Sequence, residues 1–229
     1  LFGESVLQTK VPDLLSAEEW TNEKCLKLEK ELLGFYLSDN PIYKFEGDIR
    51  ELTHNKFTPH KLINIAGIIN DITYRFDKNG NKWALVSFDT LDQNLQLYIF
   101  NDNFIKYEQL IMEDQMCYII GKDFNQGESD QLSRIIVSKM YVLDANLKNS
   151  ITQHVNIQLD FHMQNKHILL DIESLAKKYS GRYSVVLHLV SDKGKTQKIL
   201  TNKIKFSIEN HVLESLRKII GFKKVWLSI

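Results

Sequence analysis

The 229-residue sequence predicts a multi-domain chain in which an all-β five-stranded barrel follows a helical segment and precedes a small α+β domain. Three observations predict this architecture. Helical spacing and a capping pattern dominate before residue 40. Alternating, Ile-rich stretches bounded by turn signals run from Lys61 to Leu143. Strands and helices interleave after Asn146–Ser150. The expected units are 1–54, 55–146 and 147–229.

Residues 1–15 lack periodicity and read as loop. Ser16 followed by Glu19 makes a capping box, predicting a helix from Trp20 to about Leu37 that Asp39-Asn40-Pro41 ends. Residues 46–60 read as a polar connector with short turns. The first strand covers Leu62–Tyr74, and Lys78-Asn79-Gly80-Asn81 turns the chain. Trp83–Phe88 and Leu95–Phe100 form the next two strands. Phe104, Tyr107 and Leu110 mark a short helix over 103–111. Met116–Gly121 and Leu132–Leu143 are the last two strands, flanking a polar loop over 123–131. Three strands, a helix and two strands is the order of an OB barrel. In the third unit, Val155–Phe161, Tyr183–Val190, a segment around Lys203–Ile208 and Val225–Ile229 read as strands. His167–Lys178 and His211–Ile220 read as helices.

Composition narrows the function. Hydrophobic residues make up 43% and charged residues 25%, an ordinary globular balance. No run of eighteen apolar residues occurs, so no membrane partner is expected and a cytoplasmic location is. The chain opens at Leu1 without an initiator methionine, as a fragment would. Cys25 and Cys117 can pair, but free thiols are the expectation for a cytoplasmic protein. The net charge of zero hides an asymmetry: residues 1–54 carry −5, residues 55–145 carry −3 and residues 146–229 carry +8. Such segregation suggests modules with separate partners.

In the barrel, Ala84, Val86 and Phe88 alternate with Trp83, Leu85 and Ser87, while Leu95, Leu97 and Ile99 alternate with Gln96, Tyr98 and Phe100. A barrel's interior takes the aliphatic set, so Trp83, Leu85, Tyr98 and Phe100 face outward on strands two and three. That is the face on which OB barrels hold oligonucleotides, and aromatics there would stack on bases. A neighbouring helix covering the same face is the alternative. Arg75, Lys78 and Lys82 flank the first hairpin, and Arg134 with Lys122 borders the loop before the last strand. All could grip phosphates, or simply be solvated. Lys193, Lys195, Lys198, Lys203 and Lys205 form the densest basic cluster, open to a DNA backbone, an acidic partner or water. The histidines lack metal-ligand spacing, and no phosphate-binding glycine loop or nucleophile elbow occurs. No cofactor, metal or catalytic site is expected.

Specific segments carry a family resemblance. Glu29-Lys30-Glu31-Leu32-Leu33-Gly34-Phe35-Tyr36-Leu37-Ser38, with Pro41 after it, resembles the E-x-E-x-L-G-x-Y-L-[ST]-G-H-P segment of the bacterial replicative DNA polymerase III alpha subunit. Ala66-Gly67-Ile68-Ile69, Lys78–Ala84, Tyr98-Ile99-Phe100 and Leu213–Leu227 are similar to later segments of that family, in order. Asp39-Asn40 stands where the family has Gly-His, and Tyr74 and Asp77 where it often has Arg and Thr. The resemblance implies an OB domain that contacts single-stranded DNA and a last domain that tethers the clamp-loader tau subunit through the basic cluster. It also implies that Leu1-Phe2 is the tail of a sliding-clamp-binding motif. The parent polypeptide would be a DNA-directed polymerase whose catalytic carboxylates lie elsewhere, leaving this segment non-catalytic. The alternative is a stand-alone protein-interaction module with an OB barrel, which the acidic middle favours.

Overall fold

The computed structural model describes residues 18–34, 36–53, 62–124, 134–160, 165–191 and 195–229. They belong to two compact units, divided between Pro41 and Ile42. Ser16 of the expected capping box lies outside the described residues.

The first unit holds helix α1 (Asn22–Leu33). It starts two residues after the expected Trp20, capped by Thr21, whose hydroxyl accepts the Lys24 N–H at 3.4 Å. It also stops four residues earlier than expected. Gly34 takes the left-handed conformation (φ 81°) and donates its N–H to Lys30 O. The chain then folds back onto Glu29. The Glu29 carboxylate accepts the N–H groups of Leu37 (3.0 Å) and Ser38 (2.9 Å) as well as the Ser38 hydroxyl. The Glu29, Gly34 and Ser38 positions of the sequence motif therefore build one turn.

The second unit opens within a short 3-10 turn (Pro41–Phe45), which leads into helix α2 (Glu46–Thr53) where the sequence predicts a connector. The barrel follows: β1 (Leu62–Phe76), β2 (Lys82–Thr90), β3 (Asn94–Ile99), helix α3 (Asn101–Tyr107), β4 (Met116–Asp123) and β5 (Arg134–Val142). It closes in the order β1-β2-β3-β5-β4, with β4 returning to β1. This is the five-stranded OB arrangement that the sequence predicts.

One long strand serves two neighbours. β1 pairs with β4 over Leu62–Ile68 and with β2 over Gly67–Phe76, and its register shifts between Ile69 and Asp71. The shift moves the inward set from Ile65 and Ile69 to Ile72, bending the strand enough to close the sheet. Gly67 sits where the partners overlap. A Cβ there would lie 2.2 Å from the Asp89 carbonyl oxygen, so the close approach tolerates no side chain. Ala84, Val86, Phe88, Leu95, Leu97 and Ile99 fill the interior as the alternation predicts, and Phe104 and Tyr107 of α3 join that core. Cys117 lies in it as a free thiol, pushed up to about 12 by burial, while Cys25 is free and half-buried.

The last part adds α4 (Leu147–Ile151), β6 (His154–Asp160), α5 (Asn165–Lys178), β7 (Tyr183–Val190), β8 (Thr196–Phe206), α6 (Asn210–Ile220) and β9 (Val225–Ser228). The sheet order is β8-β7-β6-β9, with β6 and β7 parallel across the α5 crossover. Apolar residues of α5 and α6, such as Ile172, Val212 and Leu216, share a core with Val155, Ile157 and Val185. Strand β8 begins seven residues before the expected segment.

Helix α2 joins barrel and sheet. Ile49 and Leu52 are buried and the helix lies against β1, while Tyr118 donates its hydroxyl to Leu52 O. Toward the sheet, Glu51 receives Arg217 of α6 in a bidentate pair at 2.5 and 2.7 Å, with both side chains more than nine-tenths buried. Asp48 takes Lys148 of α4, whose ammonium also donates to Asn210 at 2.8 Å.

Breaking the Glu51–Arg217 pair strands a desolvated charge, at about 3–5 kcal/mol. Glu51→Gln or Arg217→Met should therefore lower the urea midpoint sharply, and the double variant Glu51→Leu/Arg217→Met should recover most of the loss. A single variant within about 1 kcal/mol of the parent would refute the coupling. Hydrogen bonds from the Ser38 side chain and backbone hold the Glu29 carboxyl below the usual value, so the turn is favoured above the unfolded-state pKa and lost as pH falls through the folded one. The Leu37 and Ser38 amide NMR shifts should titrate together with a midpoint below the ordinary glutamate range, and should stop titrating in Glu29→Gln.

Candidate nucleic-acid interface

Register fixes the outer face of the barrel. Arg75 lies opposite Trp83 across β1 and β2. In the next row Thr73, Leu85, Tyr98, Ile136 and Lys122 follow one another across all five strands. The row beyond places Asp71, Ser87, Gln96 and Arg134 side by side. Inward neighbours on β2 and β3 are fully buried, so these residues have only one way to point.

The aromatics on this face touch one another. Trp83 and Phe100 have ring centroids 5.0 Å apart, and Trp83 and Tyr98 lie 6.1 Å apart and nearly parallel, at 16°. Tyr98 continues to Phe124 at 5.2 Å and 26°. The result is a strip, Phe100–Trp83–Tyr98–Phe124, in which the first three rings are half-buried and Phe124 is 44% exposed. The Arg75 guanidinium sits 6.0 Å from the Trp83 ring centre, and Arg134 and Lys122 are exposed at the other side. Phe124 was hidden in the sequence at the head of what reads as a polar loop. Its backbone explains its place, because its N–H donates to Arg134 O at 2.9 Å and so continues the β4–β5 ladder.

The hairpin beside the strip is held by Asp77. Its carboxylate accepts the N–H groups of Asn79 and Asn81 at 2.8 Å and the Asn81 side-chain amide at 2.9 Å. These bonds, the Asn81 side chain first, hold its carboxyl below the usual range. Lys78 is exposed at the tip. Lys82 is separated from the strip. It shares the inward register of Ala84, and its ammonium lies 4.1 Å over Tyr74 and 3.7 Å from Glu108. Arg75, Trp83, Tyr98, Phe100 and Arg134 are thus gathered on one face, Lys78 stands at its rim, and Lys82 belongs to another side.

The basic cluster of the last domain is spread along β8. Lys195 and Lys198 are exposed near its start, Lys198 opposite His188. Lys203 and Lys205 line a hollow against α5 with Glu173, Lys177 and Ser180. Lys193, Leu1 and Phe2 lie outside the described residues. Among the described residues no group of three histidine, cysteine, aspartate or glutamate side chains could hold a metal ion, and no helix is long and apolar enough to cross a membrane.

No protein-family model matches the chain. Among curated proteins it is 24% identical over 217 residues to the DNA polymerase III subunit alpha of Saccharopolyspora erythraea, covering 89% of this chain and 18% of that protein. It is 25% identical over 226 residues to the same subunit of Halalkalibacterium halodurans, covering 97% and 20%. Among solved structures, the mitochondrial single-stranded DNA binding protein Rim1 of S. cerevisiae aligns at 13% identity and a TM-score of 0.30, over 38% of this chain and 98% of that one. The chain spans about a fifth of the length of the curated relatives it matches. Across nearly its whole length it resembles bacterial DNA polymerase III alpha subunits, and it fits a C-terminal portion of such a subunit.

Proposed function

We propose that this chain is a non-catalytic, C-terminal part of a replicative DNA polymerase III alpha subunit whose barrel holds single-stranded DNA on its outer face. The observation that carries the reading is the strip Phe100–Trp83–Tyr98–Phe124 with Arg75 at one side and Arg134 and Lys122 at the other. Bases stack on rings regardless of sequence, and the flanking cations meet phosphates. Aspartates 71, 77 and 123 offset part of that charge, so the contact is weak and salt-sensitive. Weak contact suits a site tethered to a polymerase, because tethering raises the effective concentration of template.

The last domain, by the same reading, binds the clamp-loader tau subunit through the lysines of β8, and Leu1-Phe2 contributes to sliding-clamp binding. A second reading, a stand-alone protein-interaction module, is favoured by the acidic balance of residues 55–145 and by the apolar character of the strip.

Anisotropy of labelled oligothymidine at two salt concentrations tests the DNA role. Trp83→Ala and Tyr98→Ala should each weaken binding about 5- to 150-fold, the equivalent of roughly 1–3 kcal/mol per stacked base. Arg75→Glu and Arg134→Glu should weaken binding and flatten its salt dependence. Lys82→Gln should change little, because its ammonium faces Tyr74 and Glu108. If the parent chain binds no oligothymidine even at low salt, the protein-interaction reading replaces this one.

A further inference from the structure

We infer that the first half of β8 is a docking edge for an acidic, extended segment of a partner protein, which adds to the sheet as a fifth strand. The inference deepens the reading of the last domain as a partner-binding unit and rests on it. Among the described residues, strand β8 is the end of its sheet and pairs with β7 alone. Its outer hydrogen-bonding groups therefore meet no other strand among the described residues. From Thr196 to Thr201 the pairing with β7 runs without a break, over a length typical of one strand. At Thr201 the register shifts and the Ile204 N–H turns to the Thr201 hydroxyl at 3.2 Å, which ends the regular edge.

The side chains define the occupant. Residues 195–208 hold four lysines and no acidic residue. Lysines on an edge commonly guard it against unwanted pairing. Here they flank apolar side chains that a guarded edge would not need, since Ile199 is 40% and Leu200 is 54% exposed. Ile199 lies opposite Leu187 on the helix-covered face and Leu200 opposite Val186 on the other face. An added strand with apolar residues beside these two would extend both faces. Carboxylates beside Lys195, Lys198 and Lys203 would supply the charge complement. Main-chain hydrogen bonds give such an interface its affinity and alternate side chains its selectivity.

Two probes test the proposal on the whole chain. The first is a blocked synthetic peptide alternating glutamate with valine and isoleucine, with a lysine-for-glutamate peptide and oligothymidine as controls. Hydrogen exchange should show new protection of amides within 196–201 with the acidic peptide alone. Lys198→Glu and Leu200→Lys, both at exposed positions, should each weaken binding at least tenfold while leaving the urea midpoint unchanged. Protection elsewhere, or equal protection by a control, would overturn the proposal. The second probe is the purified clamp-loader tau subunit. If tau binds the parent and both variants equally, the docking edge is wrong while the tether reading survives. If the acidic peptide binds at β8 and tau does not bind, the edge stands and the tether reading falls.

Discussion

The geometry of the larger unit depends on what α2 does with its two carboxylates. Glu51 and Asp48 lie three residues apart and so project from one side of the helix, toward Arg217 and Lys148. Between and beside them Ile49 and Leu52 are buried. The helix therefore has an apolar side for the barrel and an anionic side for the sheet. A buried pair of this kind adds little net stability compared with apolar packing, because both ions must be desolvated. Its value lies in orientation: a bidentate guanidinium–carboxylate fork tolerates little rotation, and Arg217 also reaches Val225 O, at the start of β9.

The barrel's own constraint is closure. Five strands must bend far enough for β4 to meet β1, and the register shift after Ile69, with a second shift between Ile120 and Gly121, supplies that bend. The second shift falls at Gly121 and the first begins two residues past Gly67, and neighbouring backbone leaves no room to replace either glycine. Once closed, the barrel leaves Trp83, Tyr98 and Phe100 no inward position. The aromatic strip is thus a consequence of core packing on the opposite side of the same strands.

Local pattern made much of this legible. The inward and outward sets of β2 and β3 follow from period-two alternation, and the β1–β2 turn from its Asn-Gly chemistry. Features resting on distant partners were not legible. Helix α2 read as a connector because its carboxylates look solvated until Lys148 and Arg217, 100 and 166 residues away in sequence, are placed beside them. The true end of α1 depends on Glu29 accepting bonds from eight and nine residues ahead, which overrides the helical spacing through Leu37. Lys82 looked equivalent to Arg75 because both flank one hairpin, yet strand parity sends them to different sides. The early part of β8 leaves no signal in the sequence, because an edge strand with polar residues on both faces shows no alternation. Phe124 offered a faint signal, a single apolar residue opening a polar stretch.

Cys117 gives the barrel an intrinsic chemical clock. Its sulfur is fully enclosed, and burial holds it in the protonated form that electrophiles attack poorly. Alkylation at this position has to wait for the strands to part, so the pace of labelling reports how often the closed sheet opens. Cys25, in the other compact unit and half-buried, reacts on a schedule of its own, and the two thiols time separate events within one molecule.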